Sequence, residues 1–136
     1  MNDEISVPIF AEPDIVTARR RGREMAESIG FVGTDLTLIA TAISEITRNI
    51  VRYAGRGEIL LWSEKEPGRN TLVVQARDQG PGIADLGLAM QDGYSTGRGL
   101  GLGLPGARRL MDAFEIESEL GKGTTVTLRK WKMGGR

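Results

Sequence analysis

Residues 34–78 read TDLTLIATAISEITRNIVRYAGRGEILLWSEKEPGRNTLVVQARD, and the hydrophobic period changes once along them. Leu36, Ile39, Ile43, Ile46 and Ile50 recur at spacings of three and four, which gathers them on one side of a helix. Thr34 is the expected N-cap, because its hydroxyl can accept an orphan amide of the first turn, and the helix is expected to end before Gly55. Beyond it the pattern becomes extended. GEILLWSEKE, the turn PGRN and TLVVQARD predict a β-hairpin ending near Asp78.

Toward the N-terminus, ISVPIF (5–10) reads as a short strand whose proline suits a sheet edge. Pro13 then fits the first turn of a helix through DIVTARRRGREMAESI that stops at Gly30, a natural left-handed C-cap. Its inward face is Ile15, Ala18, Gly22, Met25 and Ile29. Toward the C-terminus, residues 79–103 are glycine-rich and read as a mobile loop region, which ADLGLAM could interrupt as a short helix. A third helix, about LPGARRLMDA, turns Leu104, Ala107, Leu110 and Met111 to one side. FEIESEL, the tight turn GKG and TTVTLRKW predict a closing hairpin, with KMGGR frayed at the end. The order β, α, α, β, β, loop, α, β, β predicts an α+β fold: a two-layer sandwich whose mixed, mostly antiparallel sheet is covered on one face by about three helices.

A length of 136 residues suits one domain, 1–136. Eighteen basic residues balance eighteen acidic ones, so no global field draws in nucleic acid or an anionic membrane. There is no cysteine, which removes disulfides and thiolate chemistry and fits a reducing compartment. The start MNDEISVPIF carries two acids and no apolar core of signal-peptide length, and no later run approaches membrane-spanning length, so a soluble cytoplasmic protein is expected. Histidine is absent as well, which excludes Ser-His-Asp hydrolysis and histidine-ligated metals. Any catalysis must then rest on carboxylates, amides, backbone groups and a nucleotide.

Four local patterns bear on such chemistry. Glu45 and Asn49 in SEITRN lie one turn apart on the second helix, at the flank of the isoleucine stripe. A carboxamide oxygen there can ligate magnesium, and the carboxylate can accept a proton from an attacking hydroxyl; a merely solvated helix face stays open as the alternative. In DQGPGI, Asp78 can accept the exocyclic amine of adenine while Gly80 and Gly82 let backbone approach the base, although a plain glycine turn would look the same. The run GRGLGLGLPGARRL alternates Gly97, Gly99, Gly101 and Gly103 and then enters a helix, so amides from about Gly101 to Leu104 can bind phosphate oxygens at the helix start. GKGTTVTL is a hairpin turn in its own right.

Taken in order, Glu45-x-x-x-Asn49, Asp78-x-Gly80-x-Gly82, Gly99-x-Gly101-x-Gly103 and Gly121-x-Gly123-Thr124-Thr125 resemble the N, G1, G2 and G3 boxes of the GHKL superfamily of ATPases and kinases. The resemblance covers essentially the whole chain and implies the Bergerat fold. It is nearest to the switch serine/threonine kinases of bacterial stress signalling, through AISEITRNIVRYAG, DQGPGI and DGYSTGRGLGLGLPGARRLMD. It implies ATP and Mg2+ as cofactors, Glu45 as catalytic base and Asn49 as magnesium ligand. Asp78, Gly80 and Gly82 would form the adenine pocket with Ile83 packed on the base. Gly99, Gly101, Leu102 and Gly103 would belong to the ATP lid, and Thr125 would complete the adenine site. Arg48, Arg52 and Arg98 are candidates for phosphate or partner contacts, with a solvated role open for each. Residues 84–98 make a lid shorter than in many members, which implies a less enclosed nucleotide. The implied partners are STAS-domain substrates of the stressosome and a PP2C-type phosphatase. Anti-sigma factor kinases share the same boxes, and a catalytically silent nucleotide-dependent adaptor is a further alternative.

Overall fold

The computed structural model describes residues 4–82 and 103–133. Along the chain these form β1 (Ile5–Ile9), α1 (Pro13–Ile29), α2 (Thr34–Tyr53), β2 (Gly57–Glu66), β3 (Arg69–Asp78), α3 (Gly103–Leu110), β4 (Ala113–Glu119) and β5 (Gly123–Met133). The strand order is β1-β2-β3-β5-β4, and every neighbouring pair is antiparallel. The expectation of a mixed sheet is therefore corrected. The reason lies in the crossovers. Two helices in series separate β1 from β2 and return the chain antiparallel; a single helix separates β3 from β4, which run in the same direction, but β5 inserts between them.

The three helices among the described residues pack on one face. Ile39, Ile43, Ile46 and Ile50 of α2 are buried against Ile59 and Leu61 of β2, Leu72 and Val74 of β3, and Leu128 of β5. Gly22 of α1 lies where an added Cβ would collide with Ile43 Cδ1, so its missing side chain lets α1 settle closely onto α2. β1 with Pro8 takes an edge of the sheet, as its proline suggested.

Element ends follow local chemistry. Pro13 opens α1, and the Asp14 carboxylate accepts the amides of Phe10 at 2.8 Å and Ala11 at 3.1 Å. Gly30 closes it at φ 117°, its amide donating to Ala26 O. The start of α2 departs from expectation: Gly33 at φ 62° is the N-cap, Thr34 is already helical, and no side chain caps the turn. α3 stops at Leu110, short of the expected end, because the next residues join the sheet. The Asp112 amide donates to Arg129 O at 2.9 Å, and its carboxylate accepts the Trp131 amide at 2.7 Å. Among the described residues no helix is long and apolar enough to cross a membrane.

Candidate nucleotide site

The second half of α2 meets the start of α3 at Glu45 and the loop after β3 at Ala54, and that loop in turn meets the β4–β5 turn. Glu45 is only 8% exposed, further inside than a helix flank suggests, because α3 lies over it. Its Oε1 accepts the Gly103 amide at 2.9 Å, and its Oε2 accepts Arg48 Nη1 at 3.0 Å. Gly103 is the first residue of α3, at φ 69°, so the carboxylate caps that helix from a position 58 residues away. Asn49 is half-buried one turn further along α2. Arg52 is exposed.

Asp78 ends β3, paired between Gly57 of β2 and Thr124 of β5. Its Oδ1 accepts the Gly80 amide at 2.9 Å, an Asx turn that orients the carboxylate. Gly80 is pressed against the end of α2: an added Cβ would lie 2.6 Å from Ala54 Cβ and 2.8 Å from its Cα. The Gly121 amide donates to Pro81 O at 2.9 Å, which ties the loop after β3 to the β4–β5 turn. Gly82 (φ 79°) and Gly123 (φ 113°) pack main chain to main chain there. A Cβ on Gly123 would meet the Gln79 Cα at 2.7 Å and the Asp78 carbonyl carbon at 2.9 Å, so only glycine fits beside Asp78.

The register separates Thr125 from this group. Thr125 stands opposite Arg77, on the sheet face away from the helices, whereas Thr124 stands opposite Asp78 on the helix side. Thr124 is 6% exposed, and its Oγ1 lies 2.8 Å from Ser118 Oγ. Alternation carried that signal, since Val126 and Leu128 are core residues and Thr124 shares their parity. Thr124, one position before the expected Thr125, is thus the threonine that shares Asp78's face of the sheet. Ile83, Gly99, Gly101, Leu102, Arg98 and the short lid all lie outside the described residues, as does ADLGLAM.

The structure therefore ties Glu45 to Gly103 and Arg48, and ties Asp78, Gly80 and Gly82 to the end of α2 and the β4–β5 turn, with Asn49 between the two groups along α2. Chemically they offer an oriented carboxylate at one end, a helix start at the other, and a second carboxylate beside that helix.

Residues 34–134 match the family model described as histidine kinase-, DNA gyrase B-, and HSP90-like ATPase. Over 131 residues the chain is 49% identical to the serine/threonine-protein kinase RsbT of Bacillus subtilis, spanning 96% of this chain and 98% of that one. It is 33% identical over 97 residues to the anti-sigma F factor of Clostridium beijerinckii, 68% of each chain. Among solved structures it resembles the RsbU and RsbW domains of Rv1364c from Mycobacterium tuberculosis, with a TM-score of 0.57 and 24% identity, over 93% of this chain and 32% of that one. The mycobacterial sensor histidine kinase MprB gives a TM-score of 0.55 at 17% identity, over 96% of this chain and 97% of the other. At those identities the two structures speak for the fold alone.

Proposed function

The chain belongs to the histidine kinase-, DNA gyrase B- and HSP90-like ATPase family and is an ATP-dependent protein serine/threonine kinase; on that premise we propose that it phosphorylates STAS-domain proteins of a cytoplasmic stress-signalling complex and, once released, binds and activates a PP2C-type phosphatase. One observation carries the chemistry: a buried carboxylate, Glu45, stands 2.9 Å from the first amide of α3. Helix starts attract phosphate through their orphan amides and dipole, so a γ-phosphoryl group held there lies beside a proton acceptor.

In this reading Asp78 Oδ2 accepts the adenine amine, with its other oxygen held by Gly80 and the neighbouring Thr124 hydroxyl on the same face. Glu45 takes the proton from the substrate serine or threonine hydroxyl. The hydroxyl oxygen forms its bond to the γ-phosphorus as the bond from that phosphorus to the β–γ bridging oxygen breaks, and the electron pair leaves with ADP. Asn49 would hold Mg2+. The donor type fits that ion: a half-buried carboxamide offers one neutral oxygen, and phosphate and water would take the remaining positions. Bound there, Mg2+ would supply charge neutralisation for the phosphates.

Identity over nearly the full length of RsbT supports the switch-kinase reading over the anti-sigma one, whose relatives align over shorter spans at lower identity. Glu45→Ala is the test. Labelled-phosphate transfer from ATP to a STAS-domain protein should fall by about 100-fold or more, with ATP binding retained. Undiminished transfer refutes the base, and capture of a sigma factor in place of a phosphatase selects the anti-sigma reading.

A further inference from the structure

Each oxygen of Glu45 accepts one hydrogen bond in this structure, Oε1 from the Gly103 amide and Oε2 from Arg48, and these two bonds set the direction in which the carboxylate faces a proton donor. The two partners differ in kind. The Gly103 amide is a single hydrogen at a helix start, the sort of group that a phosphate oxygen recruits. Arg48 rides on α2 with Glu45, three residues along, and follows it wherever α3 moves. The pair is also shielded, with side-chain exposures of 29% for Arg48 and 9% for Glu45, unlike the solvated ion pairs that contribute little.

We propose that Arg48 is a positioning residue for Glu45: it holds Oε2 throughout, so that Oε1, released when nucleotide phosphate takes the Gly103 amide, is left pointing at the substrate hydroxyl. This rests on the kinase reading above. In the nucleotide-free chain Oε1 is turned to a helix start, and nucleotide phosphate taking that amide turns it to the substrate. Arg48 acts through Glu45 and does not bind the nucleotide. A guanidinium suits the task because its planar donors fix a carboxylate in direction as well as charge.

Three variants test this, with kcat from labelled-phosphate transfer and Kd from titration with a fluorescent ATP analogue. Arg48→Met keeps the aliphatic stem and should lower kcat about 10- to 100-fold, the usual effect of a misplaced reacting group, while Kd changes by less than about threefold. Arg48→Lys, a milder change with the fold preserved, should recover part of that loss. In a Glu45→Ala background, Arg48→Met should have no further effect on transfer. An unchanged kcat in Arg48→Met, a Kd that rises as kcat falls, no recovery by Arg48→Lys in a folded chain, or an independent loss in the Glu45→Ala background would each overturn the proposal. A readout without turnover separates it from the kinase reading. In nucleotide-free protein the Gly103 amide resonance should move in both Glu45→Gln and Arg48→Met; a Gly103 signal blind to both variants overturns the latch, whereas a parent chain that transfers no phosphate defeats the kinase reading alone.

Discussion

Substituting Gly80 by alanine probes the adenine end of the site. The new Cβ would stand 2.6 Å from Ala54 Cβ and 2.8 Å from Ala54 Cα, about 1 Å inside ordinary carbon contact. Neither atom can rotate away, since both belong to the residue that caps α2. Relief must come from moving the loop after β3, and that loop carries the amide that holds Asp78 Oδ1. Overpacking of this kind costs about 1–3 kcal/mol, which for a domain of this size lowers the melting temperature by roughly 4–12 °C. Releasing the oriented carboxylate adds a second effect, because a hydrogen bond to a charged group contributes about 1.5–3 kcal/mol, so ATP binding should weaken by about 10-fold or more. Differential scanning calorimetry and nucleotide titration measure the two quantities. Ala54→Gly removes one of the two clashing atoms and should restore part of both when combined with Gly80→Ala. A Gly80→Ala protein that melts within about 2 °C of the parent and binds ATP equally well would refute this account of the loop.

Thr124→Val should weaken ATP binding about fivefold, the worth of one hydrogen bond, while Thr125→Val on the opposite face leaves it unchanged; the reverse pattern in the same titration would return the role to Thr125. Gly22→Ala gains helix propensity of about 1 kcal/mol but drives a methyl into Ile43 Cδ1, so a net loss of roughly 1 kcal/mol is expected by denaturant unfolding. Ile43→Val removes that δ-methyl, and the double variant should lose less stability than the two single variants summed.

Much of this fold was legible because it is written in short-range periods. The isoleucine stripe of α2, the hairpin around PGRN, the edge proline of β1 and the Gly30 cap each depend on residues within a turn or two of one another. The sheet's fully antiparallel order was less accessible, since it depends on β5 slipping between β3 and β4, a choice made over long range. The same divide runs through the site. Glu45, Asn49 and Asp78 stand out by residue type and spacing. The Gly103 contact to Glu45 spans 58 residues and has no local signature, so α3 closing over the carboxylate could not be read from α2. Thr124 was within reach, because counting parity back from Val126 and Leu128 puts it on Asp78's face. The helix start at Gly33 hid for another reason: a favourable threonine next to it offered a conventional cap, while the backbone used a positive φ that glycine alone adopts readily.

The most direct measurement is a crystal structure of the chain with Mg2+ and a non-hydrolysable ATP analogue. The adenine amine is expected on Asp78 with Thr124 alongside, phosphate oxygens on the amides at the start of α3, and Glu45 Oε1 parted from Gly103 with Arg48 still in place. A nucleotide bound on the open face of the sheet, or a base that ignores Asp78, would contradict it.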